Sequence, residues 1–211
     1  MSVVDWQQES QQYDRAHPRL VQMARLLAEY PERRLLDVGC STAMLQRLLP
    51  DDFVYHGCDV ADLAAKSLPA DRFLQRDLNI SSDLSFFENC RIDTIHIGGV
   101  VEYLERPGEL LDALRRLVPD GSPLVTSIIN FESERYAIAD NHHRGWVYRP
   151  TLDEFRGLLG RHGWRVESTS AFLGRSGWRS WLFRFNTRRH GVDDVRTRAA
   201  AEQFIVTAIA D

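Results

Sequence analysis

Apolar positions along the chain fall into two rhythms that alternate. Over residues 21–30 the spacing predicts a helix, with Leu20, Met23, Ala24 and Leu27 on one face. Residues 33–38 are a short apolar strand that ends at Gly39, and residues 43–49 read as a helix with Ser41 and Thr42 as candidate caps. A second strand over 53–58 ends at Asp59, a helix follows over 61–68, and a short third strand over 72–75 precedes Asp77. Residues 92–97 form a fourth strand closed by Gly98 and Gly99, and 109–118 a helix carrying Leu110, Leu111, Leu114 and Leu117 on one side. Pro119, Asp120 and Gly121 then signal a turn into a fifth strand over 123–129. Strands alternating with helices in this way predict a parallel α/β sheet.

Beyond the fifth strand the rhythm loosens. Residues 130–150 are a polar connection rich in aromatics and histidines, of a length that compact domains reserve for functional loops. Thr151 followed three residues on by Glu154 is a capping signature for a helix over 151–162. Runs at 164–172 and 178–185 read as two late strands joined as a hairpin through 174–177. After Gly191 an Ala-rich stretch is expected to form a helical tail outside the core. The expected division is therefore a domain over 1–190, opened by a helical cover over 1–30, and a tail over 191–211.

Composition narrows the class without changing the picture. A chain of 211 residues, 44% hydrophobic and 27% charged, can bury a core with no disulfide or metal to hold it. The net charge of −4 gives no electrostatic reason to expect nucleic acid as a partner. Cys40, Cys58 and Cys90 form neither a paired motif nor a Cys/His ligand spacing, so reduced thiols and no metal are expected. The first residues lack the basic start and apolar stretch of a signal peptide, and no run approaches the ~20 apolar residues of a membrane span. A cytoplasmic protein without membrane contact is expected.

The chemistry concentrates where the first strand turns into the next helix, through Asp37, Val38, Gly39, Cys40, Ser41, Thr42 and Ala43. Small residues at such a turn let a ligand approach the backbone, beside the N–H groups of a helix start. Asp59 ends the next strand about 20 residues on, where an acid can accept hydrogen bonds from ribose hydroxyls. A dinucleotide fingerprint would need glycines at 39, 41 and 44, and Met44 at the third place obstructs close packing of helix on strand. Spacing at 39, 41 and 43 gives Gly39, Ser41 and Ala43 instead, small at each step.

With LLDVGCSTAML at 35–45, GCDV at 57–60, RDLN at 76–79 and GGVVEYLERP at 98–107, the chain resembles the class I S-adenosylmethionine-dependent methyltransferases that act on small molecules. The later NHHRGWVYRPTLDEFRGLLGRHGWRV is similar to the same family after its fifth strand. The resemblance implies a three-layer Rossmann-like fold, a seven-stranded, mostly parallel sheet whose last strand runs antiparallel. It implies S-adenosyl-L-methionine as cofactor, with Gly39, Cys40 and Ser41 along its methionine part and Asp37 beneath. It places Asp59 on the ribose, Val60 on the adenine, Asp77 and Leu78 at the adenine edge and ring, Gly98 to Val100 near the sulfonium, and Tyr13 in the cover. Ser41 and Ala43 stand where the family has glycines, and Tyr103 where it commonly has His.

His142 and His143 lie in the long loop, where a substrate enters this fold, and are the candidate bases. The expected reaction is direct methyl transfer to an oxygen or nitrogen of a small molecule, with a homodimer left open. The alternative is a non-catalytic relative, a scaffold or partner-binding protein with weakened grip on the cofactor. The two replaced glycines favour it; Asp59 and Asp77 oppose it.

Overall fold

The computed structural model describes residues 5–11, 16–133, 136, 145–173 and 192–211. Its centre is a seven-stranded sheet in the order β3-β2-β1-β4-β5-β7-β6. The strands are β1 (Arg34–Val38), β2 (Val54–Asp59), β3 (Phe73–Gln75), β4 (Thr94–Gly98), β5 (Pro123–Ile129), β6 (Trp164–Phe172) and β7 (Gln203–Ala210). The first five pair in parallel, while β7 runs antiparallel between β5 and β6. This is the Rossmann-like methyltransferase topology implied by the motifs.

Among the described residues the α-helices are α1 (Trp6–Gln11), α2 (Pro18–Ala28), α3 (Pro107–Leu117), α4 (Leu152–Arg161) and α5 (Val195–Ala200). The starts of α2, α3 and α4 have local causes. Pro sits in the first turn of α2 and of α3, where its missing N–H costs nothing. His17 caps α2, its ring nitrogen accepting from the Arg19 amide at 3.2 Å. Thr151 and Glu154 exchange both bonds of a capping box at α4, as their spacing predicts.

Side chains alternate across the sheet, and two cores follow. On one face Leu35, Tyr55, Val125 and Ile205 meet Met23, Ala24 and Leu27 of α2. On the other, Leu36, Val38, Ile95, Ile97 and Leu124 pack with α3 and α4 through Leu110, Leu114, Phe155 and Leu159. Helices on both faces make the three layers.

Three expectations need correction. The segments read as helices over 43–49 and 61–68 are single 3-10 turns, Met44–Leu48 and Leu63–Lys66. Ala43 is left-handed just before the first, and Pro50, which has no amide to donate, follows it, so that turn is bounded on both sides. The tail expected outside the core is helical only at Val195–Ala200; Gln203–Ala210 is a strand inside the sheet, buried over its last seven residues. The sheet therefore does not end at residue 190, and β6 finds its antiparallel partner in β7. The run over 178–185 once expected in that place lies outside the described residues.

Candidate functional site

The C-terminal ends of the parallel strands open onto one cleft, where an open α/β sheet presents its ligands. Asp37 lines it from the end of β1 and Gly39, Cys40 and Ser41 from the turn that follows, Asp59 from the last position of β2 with Val60 next, Asp77 and Leu78 after β3, and Gly98 at the end of β4. Nine sequence-selected positions thus converge on one space. Tyr13, His142 and His143 lie outside the described residues.

The turn after β1 is built from backbone conformations that normally demand glycine. Gly39 has φ +77°, Ser41 50° and Ala43 56°. The two non-glycine positions each cost about 1 kcal/mol of steric strain, and hydrogen bonds hold them there. Gly39 and Cys40 donate their amides to the Cys58 carbonyl, at 2.8 and 3.3 Å. Ser41 donates to a carboxylate oxygen of Asp59 at 2.8 Å, and Ala43 to the Cys40 carbonyl at 2.8 Å. The N–H groups of Gly39, Cys40, Ser41 and Ala43 are therefore engaged within the protein. Those four amides are thus not offered to a phosphate.

Asp59 does double duty. Its second oxygen accepts from the Ala61 amide at 2.8 Å, so one carboxylate braces the loops after both β1 and β2. Burial pushes its pKa up, opposed by those two amide bonds. Each oxygen keeps a second lone pair for a ligand. Asp77 accepts from the Asn79 amide at 2.9 Å and shapes the turn after β3, a capping role beside its place in the cleft. Cys40 is buried, and desolvation together with Asp37 and Asp59 raises its thiol well above the ordinary range. It packs as a neutral group against Gly57, where an added Cβ would meet its sulfur at 2.7 Å.

Sequence reasoning missed several cleft residues. His96, in the middle of β4, is paired in register with Asp37, and its Nδ1 lies 2.6 Å from an Asp37 oxygen. The Tyr55 hydroxyl donates to the other oxygen. Burial, with Asp37 next, raises the Tyr55 pKa well above its ordinary value, so the phenol remains a donor. His96 is 2% exposed, and its Nε2, on an imidazole that lines the cleft, has no partner among the described residues. Arg19, near the start of α2, reaches the cleft beside Gly99 and donates to Gln203 of β7 at 2.7 Å. Its Nε is also buried without a partner among the described residues. The signal available for His96 was a histidine set inside an otherwise apolar strand, level with Asp37.

The rim is aromatic. Trp6 of α1 stands edge-on to Tyr103 with ring centroids 4.8 Å apart, and both line the cleft. Asn79 bridges the loops after β3 and β4, donating to the Tyr103 carbonyl and accepting from the Glu105 amide, both at 2.9 Å. Glu102 is fully buried, with one oxygen accepting from the Ile129 amide at the end of β5 at 2.6 Å.

The chain matches the sequence profile of a methyltransferase domain family over residues 7–169. Many solved structures share the fold. An S-adenosylmethionine-dependent methyltransferase from Archaeoglobus fulgidus is 16% identical, with a TM-score of 0.67 over 98% of this chain and 100% of the other. The Burkholderia thailandensis 1,6-didemethyltoxoflavin-N1-methyltransferase, crystallised with S-adenosylhomocysteine, is 13% identical, with a TM-score of 0.62 over 96% and 81%. A Haloferax volcanii complex of the Trm112 methyltransferase activator with a methyltransferase contributes a chain 17% identical, with a TM-score of 0.67 over 97% and 94%. No curated protein matches. At these identities the structural likeness concerns the fold. Among the described residues no helix is long and apolar enough to cross a membrane, and no acid, His and Cys cluster suits a metal ion.

Proposed function

Because the chain belongs to the methyltransferase domain family, its profile spanning residues 7–169, we propose that the cleft binds S-adenosyl-L-methionine and serves methylation of an oxygen or nitrogen on a small molecule. One observation carries this reading: nine residues chosen for cofactor roles line a single cleft at the strand ends. The residues present also fit the group. Asp37, Asp59 and Asp77 bring three carboxylates to the cleft, which suits a cationic ligand, and four amides of the β1 turn are already engaged within the protein. S-adenosylmethionine would supply an electrophilic methyl on a sulfonium. Asp59 would hold the ribose while keeping its amide bonds, Val60 would pack on the adenine, and Asp77 and Leu78 would address its edge and ring. Gly39, Cys40, Ser41 and Gly98 would flank the remainder.

The aromatic rim of Trp6 and Tyr103, with Leu20 and Leu104 beside it, supports a compact acceptor. Held against these walls and shielded from water, an acceptor needs alignment more than strong acid–base help. A base, where the acceptor requires one, is proposed at His142 or His143, which follow β5 in the sequence. The scaffold alternative, weakened in cofactor grip, rests on Ser41 and Ala43; the hydrogen bonds that hold both in left-handed geometry weigh against it.

Calorimetry and thermal melting with S-adenosylhomocysteine test the proposal. Micromolar-range affinity and a raised melting temperature are expected, since a ligand at 100 times its Kd stabilises the native state by about 2.7 kcal/mol. A melting curve that does not move at millimolar ligand would defeat it.

A further inference from the structure

We propose that Glu102 is the positioning residue of the acceptor side of the cleft: its carboxylate and its own carbonyl pin both ends of the stretch between β5 and α4 to the turn that carries Tyr103. The inference rests on the methyl-transfer reading above and goes beyond it, because it concerns what holds the acceptor wall and not the cofactor.

The geometry begins where β4 ends. After Gly98 the chain enters the 3-10 turn Val101–Tyr103, whose residues divide between two faces. Val100, Tyr103 and Leu104 line the cleft, whereas the side chains of Val101 and Glu102 are buried outside its lining. The Glu102 carboxylate accepts from the amide of Ile129, the last residue of β5, at 2.6 Å. Its main-chain carbonyl accepts from the amides of Val147 and Tyr148, at 2.9 and 3.1 Å. One residue thus holds both the point where the chain leaves β5 and a point where it returns toward α4. The same two ends also meet through aromatic rings. Trp146 stands edge-on to Phe131 at 5.3 Å and to Tyr136 at 5.9 Å between centroids. From the opposite side Asn79 donates to the Tyr103 carbonyl at 2.9 Å, so the turn is held against the loop after β3 as well.

A carboxyl is a poor choice if the brace serves stability alone. Burying a polar oxygen without a hydrogen bond costs free energy, and the second Glu102 oxygen is buried with no partner among the described residues. An apolar side chain would avoid that cost but could not accept from Ile129, whose amide would be left unpaired. What the acid supplies is a fixed relation between the turn and the end of β5. Position is the main resource in direct methyl transfer, where a misplacement of about 1 Å can cost on the order of 100-fold in rate. The cofactor roles proposed above fall after β1, β2 and β3 and at the end of β4. The β4–β5 side, where Glu102 lies, is left to the acceptor.

Amide hydrogen exchange and acceptor kinetics on the full chain test the assignment. Glu102→Ala should speed exchange at Ile129, Val147 and Tyr148 by about tenfold or more, while amides of β1 and β2 keep the parent rates. Its affinity for S-adenosylhomocysteine, measured by calorimetry, should stay within about twofold of the parent, since a local opening leaves the β1–β3 side intact. Glu102→Gln, whose side-chain oxygen can still accept from Ile129, should restore slow exchange at all three amides. With labelled S-adenosylmethionine and a panel of phenols, hydroxy acids and amines, Glu102→Ala should raise the acceptor KM about tenfold or more. The KM for S-adenosylmethionine should not move, and Glu102→Gln should return the acceptor KM to the parent value. Should Glu102→Ala fail to fold, Glu102→Met keeps the volume, removes the acceptor oxygen and takes its place. Exchange that quickens everywhere, β1 included, would make Glu102 a prop for overall stability and overturn the assignment. So would parental exchange at Val147 and Tyr148 in Glu102→Ala. The exchange pattern decides the matter even if the parent methylates nothing in the panel. A parent chain that fails to bind S-adenosylhomocysteine would instead defeat the cofactor reading, whatever the exchange at these amides.

Discussion

At the scale of single residues, the cleft depends on backbone angles more than on side-chain chemistry. Gly39 is both left-handed and pressed by Val100, whose Cγ2 would stand 2.1 Å from an added Cβ. Gly121 has a similar φ of +88° and open space around it. The pair separates two penalties. Gly121→Ala should lose about 1 kcal/mol of strain, whereas Gly39→Ala should lose that and about 1–3 kcal/mol more from overpacking. Urea denaturation measures both, and Val100→Ala should restore only the packing part of the Gly39→Ala loss. Equal losses at the two glycines would remove the steric role given to Val100. The small residues at 39, 41 and 43 were legible because a tight turn writes its requirement directly into residue size. His96 and Arg19 were not. Their meaning lies in partners 59 and 184 positions away along the chain, Asp37 and Gln203, and no local spacing encodes such a meeting.

At the scale of elements, signals contained within one segment read correctly. The capping box fixed the start of α4, and the apolar run of β5 gave both its ends. Glu102 carries no such local signal, because a helix-start acid and a buried brace look alike in sequence. Its carboxylate joins the 3-10 turn Val101–Tyr103 to β5, and burial raises its pKa, opposed by its own amide, the Ile129 amide and the Arg19 charge. The sign of the consequence is fixed. A carboxyl whose folded-state pKa is raised contributes stability that is complete below its unfolded value, about 4.3, and is lost as pH rises through the folded value. Glu102→Gln has no such proton to lose. Its melting temperature relative to the parent should therefore climb as pH goes from about 4 to 7, followed by circular dichroism. A difference that stays flat across that range would mean the Glu102 charge is relieved in a way the buried site does not provide.

At the scale of the whole molecule, the sheet is completed by the last residues of the chain. Gln203–Ala210 carries Phe204, Ile205, Val206, Thr207 and Ile209, a density of β-branched and aromatic residues that marks a strand. Because β7 is buried on both faces it shows no alternation, and the alanines just before it pull the reading toward helix. Its position makes it indispensable. β7 pairs with β5 from Gln203 to Ile209 and with β6 along the other edge, while Phe204 and Ile205 enter opposite cores. Removing residues 203–211 would leave the inner edges of two strands unpaired and uncover the apolar surfaces between them, including the fully buried Trp164 at the β6 start. A chain ending at residue 202 should therefore show no cooperative thermal transition and no near-ultraviolet circular dichroism. Phe204→Ala is the graded version: the fold should persist with a loss of about 3–5 kcal/mol in urea. If the shortened chain still melted cooperatively and bound S-adenosylhomocysteine like the parent, β7 would be an accessory strand. The contact between Gln203 and Arg19 would then have no bearing on the cleft.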